Sequence, residues 1–122
     1  MNSWINIVYL GIGAASGAMV RFGLSLSLPF NTNHFAWGTF TINMLGCFLI
    51  GLFSTIIDAQ WLRILLITGF LGAFTTFSGL GMEMYQYFKA AQWQMLVIYG
   101  FTSIVFGILF VFLGNKCAYI FQ

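Results

Sequence analysis

Residues Leu62–Phe88 read LRILLITGFLGAFTTFSGLGMEMYQYF, an apolar run whose only charged residues are Arg63 and Glu83. A membrane-crossing helix needs about 20 mostly apolar residues at about 1.5 Å rise each. This segment is longer than that, with room for a tilt or a break. Its centre, Gly69-Phe70-Leu71-Gly72-Ala73-Phe74-Thr75-Thr76-Phe77-Ser78-Gly79, gathers three glycines, two threonines and a serine at membrane depth. One reading is a continuous helix packed through small residues. The other is an unwound stretch, which lipid tolerates only where protein or a cavity satisfies the freed backbone. Unwound backbone offers carbonyls to a cation and N–H groups to an anion.

Outward from this segment the same composition continues. Three further spans are expected at Trp4–Phe22, Phe35–Ile57 and Gln94–Asn115. The fold class is therefore an all-α membrane protein with four transmembrane helices, the third broken near its middle. The whole chain, 1–122, is one membrane domain, because the connections Gly23–His34, Asp58–Trp61 and Lys89–Trp93 are too short to fold alone. Four Lys or Arg and two Asp or Glu in 122 residues could not wet the surface of a soluble globule. Trp4, Trp37, Trp61 and Trp93 each fall near the start of one span, where indole rings favour the headgroup level.

The first run lacks a basic n-region and is too long for a removable signal peptide. Cys47 and Cys117 make no disulfide framework. A formal net charge of +2 is too small to suggest a nucleic-acid partner. Both termini and the second connection share one side, carrying Arg63 and Lys116. The other side carries Lys89, and Arg21 if it reaches the interface. That balance gives no clear orientation by the positive-inside rule, and dual insertion is the simple reading.

The polar residues within the spans form stripes. Thr39 and Asn43 are four apart in the second span, and Tyr99 and Ser103 four apart in the fourth, so each pair shares a helix face. Asn43 is either interhelical glue or part of a polar track. Glu83 either snorkels to the interface beside Tyr85, Tyr87 and Lys89, or stands at a pore mouth. Gly13 and Gly17 share a face of the first span, with Arg21 one turn on. Metal-ligand clusters, nucleophile–base pairs and phosphate loops do not occur, and His34 stands alone in a loop, so an enzyme is not expected.

Three segments, Gly13-Ala14-Ala15-Ser16-Gly17-Ala18-Met19-Val20-Arg21-Phe22, Gly38-Thr39-Phe40-Thr41-Ile42-Asn43-Met44-Leu45-Gly46 and Gly69 to Ser78, occur in order, one per span. Together they resemble the Fluc/CrcB family of fluoride channels over nearly the whole chain. The resemblance implies an antiparallel, dual-topology dimer in the cell membrane that passively exports fluoride through two pores at its interface. It also implies a structural sodium ion at the dimer centre, held by the backbone carbonyls of Gly72 and Thr75. Asn43 would donate its amide N–H to fluoride, and Phe77 would be the first pore phenylalanine. Thr39, Tyr99 and Ser103 would line a polar track, with Glu83 near one pore end and Arg21 influencing the anion vestibule.

One position departs from the family pattern. Leu80 stands where the second pore phenylalanine is expected, three residues after Phe77. This puts a simple homodimer in question and raises a heterodimer with a paralogue, in which this chain could be a non-conducting partner. A small multidrug-type transporter is the other rival, but it needs a buried carboxylate in its first helix, where this chain has none. Fluoride is small and strongly hydrated, so its path must replace water with donors. Amides, hydroxyls and the positive edges of phenylalanine rings can do so, whereas a full cation would hold the ion too tightly for conduction. Mid-span positions free of Lys and Arg fit that logic.

Overall fold

The computed structural model describes residues 2–122. Among these residues, four helices are long and apolar enough to cross a bilayer: Ser3–Ser27, Trp37–Ile56, Gln60–Lys89 and Trp93–Ile120. We call them the first to fourth spans. The four expected crossings are all present; the second is slightly shorter than expected and the other three are longer. The first continues past Phe22 to Ser27, and the fourth past Asn115 to Ile120.

The longer first span corrects the expectation for Arg21. The helix runs six residues beyond it, about 9 Å at 1.5 Å per residue. Its Nε donates to the Ala73 carbonyl at 3.0 Å. Arg21 thus lies inside the first span, six residues from its end, and is tied to the third. The first helix does not end at this charge, as the apolar run does.

The spans pack closely through glycine, the means by which helix backbones approach in lipid without a hydrophobic driving force. A Cβ on Gly51 would run into the Val111 carbonyl, and one on Gly114 into the Phe48 carbonyl, so the second and fourth spans meet reciprocally. A Cβ on Gly17 would strike the Phe70 carbonyl, which joins the first span to the third in the same way. Large apolar side chains such as Val8, Ile12, Phe101, Ile104 and Phe112 point outward. In water this would be a liability, but in a bilayer it is the lipid face.

The third span is not one helix. Arg63–Leu71 is π-helical, a form the sequence reading did not anticipate, and a single turn, Gly72–Phe74, follows. Thr75 (φ −80°, ψ 157°) and Thr76 (φ −145°, ψ 113°) are extended, and a regular helix resumes over Phe77–Lys89. The expected break is therefore present and is two residues long. Ile42, Leu71 and Phe74 form an apolar cluster on one side of it, and Ala36, Leu80, Tyr87 and Tyr99 form another on the other side.

Connections are capped with backbone and side-chain donors. The Arg63 guanidinium donates to the carbonyls of Ser54 and Ile57 at the end of the second span, at 3.1 and 2.8 Å. After Lys89 the chain turns through Ala91, at φ 54°. There Gln92 N–H donates to Tyr87 O and Ala91 N–H to Phe88 O, the paired bonds of a Schellman ending.

Gly17→Val should lower thermal stability in detergent by about 1–3 kcal/mol, the usual cost of overpacking. Gly11→Ala, whose added methyl meets open space, should change little. Fluorescence-detected melting compares the two, and equal melting temperatures would contradict the packing described.

Candidate functional site

A break in lipid frees backbone groups, and the chain supplies partners for several of them. In a continuous helix the Thr76 N–H would donate to Gly72 O; here it donates to Asn43 Oδ1 at 2.8 Å. Asn43 Nδ2 donates in turn to the Thr76 carbonyl at 3.2 Å. One side-chain amide thus satisfies both polar groups of one peptide residue, as a neighbouring strand would. The Ala73 carbonyl has lost Phe77 N–H and takes Arg21 Nε instead. Thr76 is the N-cap of the second half-helix, its Oγ1 accepting from Gly79 N–H at 2.8 Å.

What remains free is informative. The carbonyls of Gly72 and Thr75 lose their helical donors, because Thr76 N–H goes to Asn43 and Gly79 N–H to Thr76 Oγ1. Phe77 and Ser78 begin the second half-helix, and their N–H groups find no acceptor among the described residues. Asn43 keeps a second amide hydrogen. Carbonyl oxygens and N–H donors are therefore both uncommitted within a few residues, at a helix N-terminus where negative charge is favoured.

Asn43, Gly72, Thr75 and Phe77 line a cleft of about 310 Å³ together with Cys47, Leu80 and Ser103, among others. Phe77 is 86% exposed, while Leu80, three residues on, is 8% exposed, shares a buried cluster with Tyr87 and Tyr99, and lines the same cleft. Ser103 is buried, and its hydroxyl has no partner among the described residues.

A turn further along the second and fourth spans lies a second polar group. Thr39 Oγ1 donates to Glu83 Oε1 at 2.6 Å, and Tyr99 Oη donates to Glu83 Oε2 at 2.5 Å. Glu83 is therefore turned inward and held by two spans rather than snorkelling. Thr39 with Asn43, and Tyr99 with Ser103, make a ladder from the cleft to the Glu83 carboxylate. The structure brings together every site residue expected from the sequence, in two groups: Arg21, Asn43, Gly72, Thr75, Phe77 and Ser103 around the break, and Thr39, Glu83 and Tyr99 one turn away.

Two residues were undervalued in the sequence. Thr76 was read only as part of a motif, although a threonine three residues before a glycine N–H donor can cap a helix. Tyr87 was read as an interfacial aromatic, yet it is fully buried, and its hydroxyl donates to the His34 carbonyl at 2.5 Å. Its place four residues after Glu83, on the same helix face, was the available signal.

Asn43→Ala should leave the Thr76 N–H and carbonyl without partners, at about 1–3 kcal/mol each. We expect a lower melting temperature and faster hydrogen exchange at the Thr76 amide. The exposed neighbour Thr41, changed to Ala, should do neither. An unchanged Thr76 exchange rate in Asn43→Ala would contradict the clamp.

The family described as CrcB-like protein, Camphor Resistance (CrcB), matches residues 8–115. A fluoride-specific ion channel FluC of Chloroflexus aurantiacus is 40% identical over 118 residues, covering 89% of this chain and 91% of that protein. A fluoride-specific ion channel FluC 2 of Prochlorococcus marinus is 37% identical over 122 residues, covering 94% and 93%. A FluC of Phocaeicola vulgatus is 36% identical over 114 residues, covering 89% and 94%. With the four spans, these matches make the protein a multi-pass membrane protein. The chain belongs to the CrcB/Fluc family.

Proposed function

We propose that the protein is a passive, fluoride-selective channel built as an antiparallel dimer, with its path along the cleft and ladder described above. The observation that carries this reading is the broken third span, whose uncommitted donors share one cleft with Asn43 and Phe77. Relatives named as fluoride-specific ion channels support the ion's identity.

The donor set suits a small, strongly hydrated anion. The second Asn43 amide hydrogen and the N–H groups of Phe77 and Ser78 replace water without presenting a full charge. The Phe77 ring can offer its positive edge. The orphaned Ser103 hydroxyl comes next, followed by the Thr39 and Tyr99 hydroxyls. These last two donate to Glu83 and can rotate toward a passing anion. Arg21 is bound to the Ala73 carbonyl, so its charge offsets the negative end of the first half-helix and does not lie free in the path.

One chain supplies only one wall of such a path, since Phe77 is 86% exposed and the cleft is open. A second copy in the opposite orientation would cover it and create two equivalent pores. The Gly72 and Thr75 carbonyls, released by the break, fit a hard monovalent cation such as sodium, which prefers oxygen ligands. Two carbonyls from each chain would share it, and a bound sodium would supply fixed positive charge between the pores.

A specific observation favours a second reading. Leu80 occupies the position of the family's second pore phenylalanine and is buried against Tyr87 and Tyr99. A partner chain carrying the missing ring would complete the pore, and this chain would then serve in a heterodimer.

Liposomes loaded with fluoride and containing the purified chain alone should release it rapidly on adding a potassium ionophore, as read by a fluoride electrode, and should retain chloride. Phe77→Ala should slow efflux about tenfold or more, the effect of about 1.4 kcal/mol at the barrier. The dimer should stay assembled by gel filtration. Full efflux from the variant would remove Phe77 from the path. No efflux from the unmodified chain would refute the homodimer and leave the heterodimer.

A further inference from the structure

The cleft at the break holds a chemistry that fluoride does not use. Met44 and Cys47 both line it, three residues apart in the second span, a spacing that sets two side chains on one helix face. They converge on the fourth span at Gly107, where a Cβ would come 3.6 Å from Cys47 Sγ and 3.8 Å from Met44 Cε. Gly107 thus leaves a notch toward which a thiol and a thioether both project. The thiol is free of any disulfide. Ser103 lies one turn before Gly107 on the same face and lines the same cleft. It is 9% exposed, and its hydroxyl has no partner among the described residues.

Fluoride is a hard anion and gains nothing from sulfur. Thiolate and thioether ligands instead select soft cations such as copper(I), and silver(I) matches copper(I) in charge and softness. Two sulfur ligands on opposite sides satisfy such an ion, and a pair on one helix face can supply them. The orphaned Ser103 hydroxyl can add an oxygen. Binding exchanges the Cys47 proton for the metal: the S–H bond breaks, the sulfur gives its electron pair to the cation, and the proton leaves to water. Neither oxidant nor reductant is required. The thiolate cancels the charge of the cation, and a neutral complex is what a site at membrane depth favours.

We propose that Cys47 and Met44 form a soft-metal site in the wall of the cleft, taking a monovalent cation of the copper(I) or silver(I) class, and that the bound cation obstructs the fluoride path. The site follows from the two sulfur side chains, and only the obstruction rests on the fluoride-channel reading above.

Silver nitrate in chloride-free buffer is the probe, with Cys117→Ser as the background to remove the other free thiol. Equilibrium dialysis of the purified chain should retain about one silver ion per chain, and X-ray absorption should show two sulfur neighbours. Cys47→Ser should abolish retention. Met44→Leu should weaken it about tenfold or more, the order of loss when a metal site gives up even a supporting partner. Met82→Leu, at an exposed methionine outside the cleft, should leave it unchanged. In fluoride-loaded liposomes silver should slow efflux severalfold, with recovery on adding excess free thiol, and efflux through Cys47→Ser should ignore the metal. Equal retention by Cys47→Ser, or a single sulfur neighbour in the absorption spectrum, would overturn the site; the spectrum decides even where Met44→Leu folds poorly. Silver held with efflux unchanged would overturn the obstruction. If the metal-free chain passes no fluoride, the channel reading fails and the obstruction falls with it, while retention and absorption still decide the site.

Discussion

Lipid offers no hydrogen bonds, and that constraint governs this molecule. A helix can be opened at membrane depth only if each freed N–H and carbonyl finds a partner or faces a polar space. Here the opening at Thr75 and Thr76 is held by one amide, Asn43, reaching across from the second span with a donor and an acceptor on the same peptide residue. Arg21 closes one further carbonyl from the first span, and Thr76 caps the half-helix that follows. The first and second spans thus both reach across to the break in the third. Groups left over by this settlement are the ones available to ions.

The rest of the architecture keeps that junction in place. The first span is pressed against the π-helical segment by glycines, and the second against the fourth by reciprocal glycine contacts. The π-helix ends one short turn before the break, consistent with the tendency of such segments to occur at functional sites. Apolar clusters lie on both sides, so the break is a polar seam between two dry layers. Glu83 sits in a second seam one turn away, where it gathers hydroxyls from two other spans.

Much of this was legible in the sequence because bilayer physics is strict. Run length and the scarcity of charge gave four crossings, the four tryptophans marked their starts, and the crowd of glycine, threonine and serine marked the broken one. The i, i+4 stripes of Thr39 with Asn43 and Tyr99 with Ser103 predicted shared faces, and those faces join the cleft at the break to the Glu83 seam. The first span runs past Arg21 because hydropathy ends a run at a charge, whereas a helix can carry an arginine whose guanidinium finds a carbonyl. The π-helix left no sign, since its side chains are as apolar as those of an ordinary span. Tyr87 was hidden because its partner is a loop carbonyl, and backbone acceptors carry no residue signature.

The central claim is that the groups released by the break line a path for fluoride. Its most direct measurement is the reversal potential of current through purified protein in a planar bilayer under a fluoride gradient, with chloride and sodium gradients set to different potentials. A passive fluoride path predicts reversal at the fluoride equilibrium potential. Reversal at the chloride or sodium potential, with fluoride current undetectable, would contradict it.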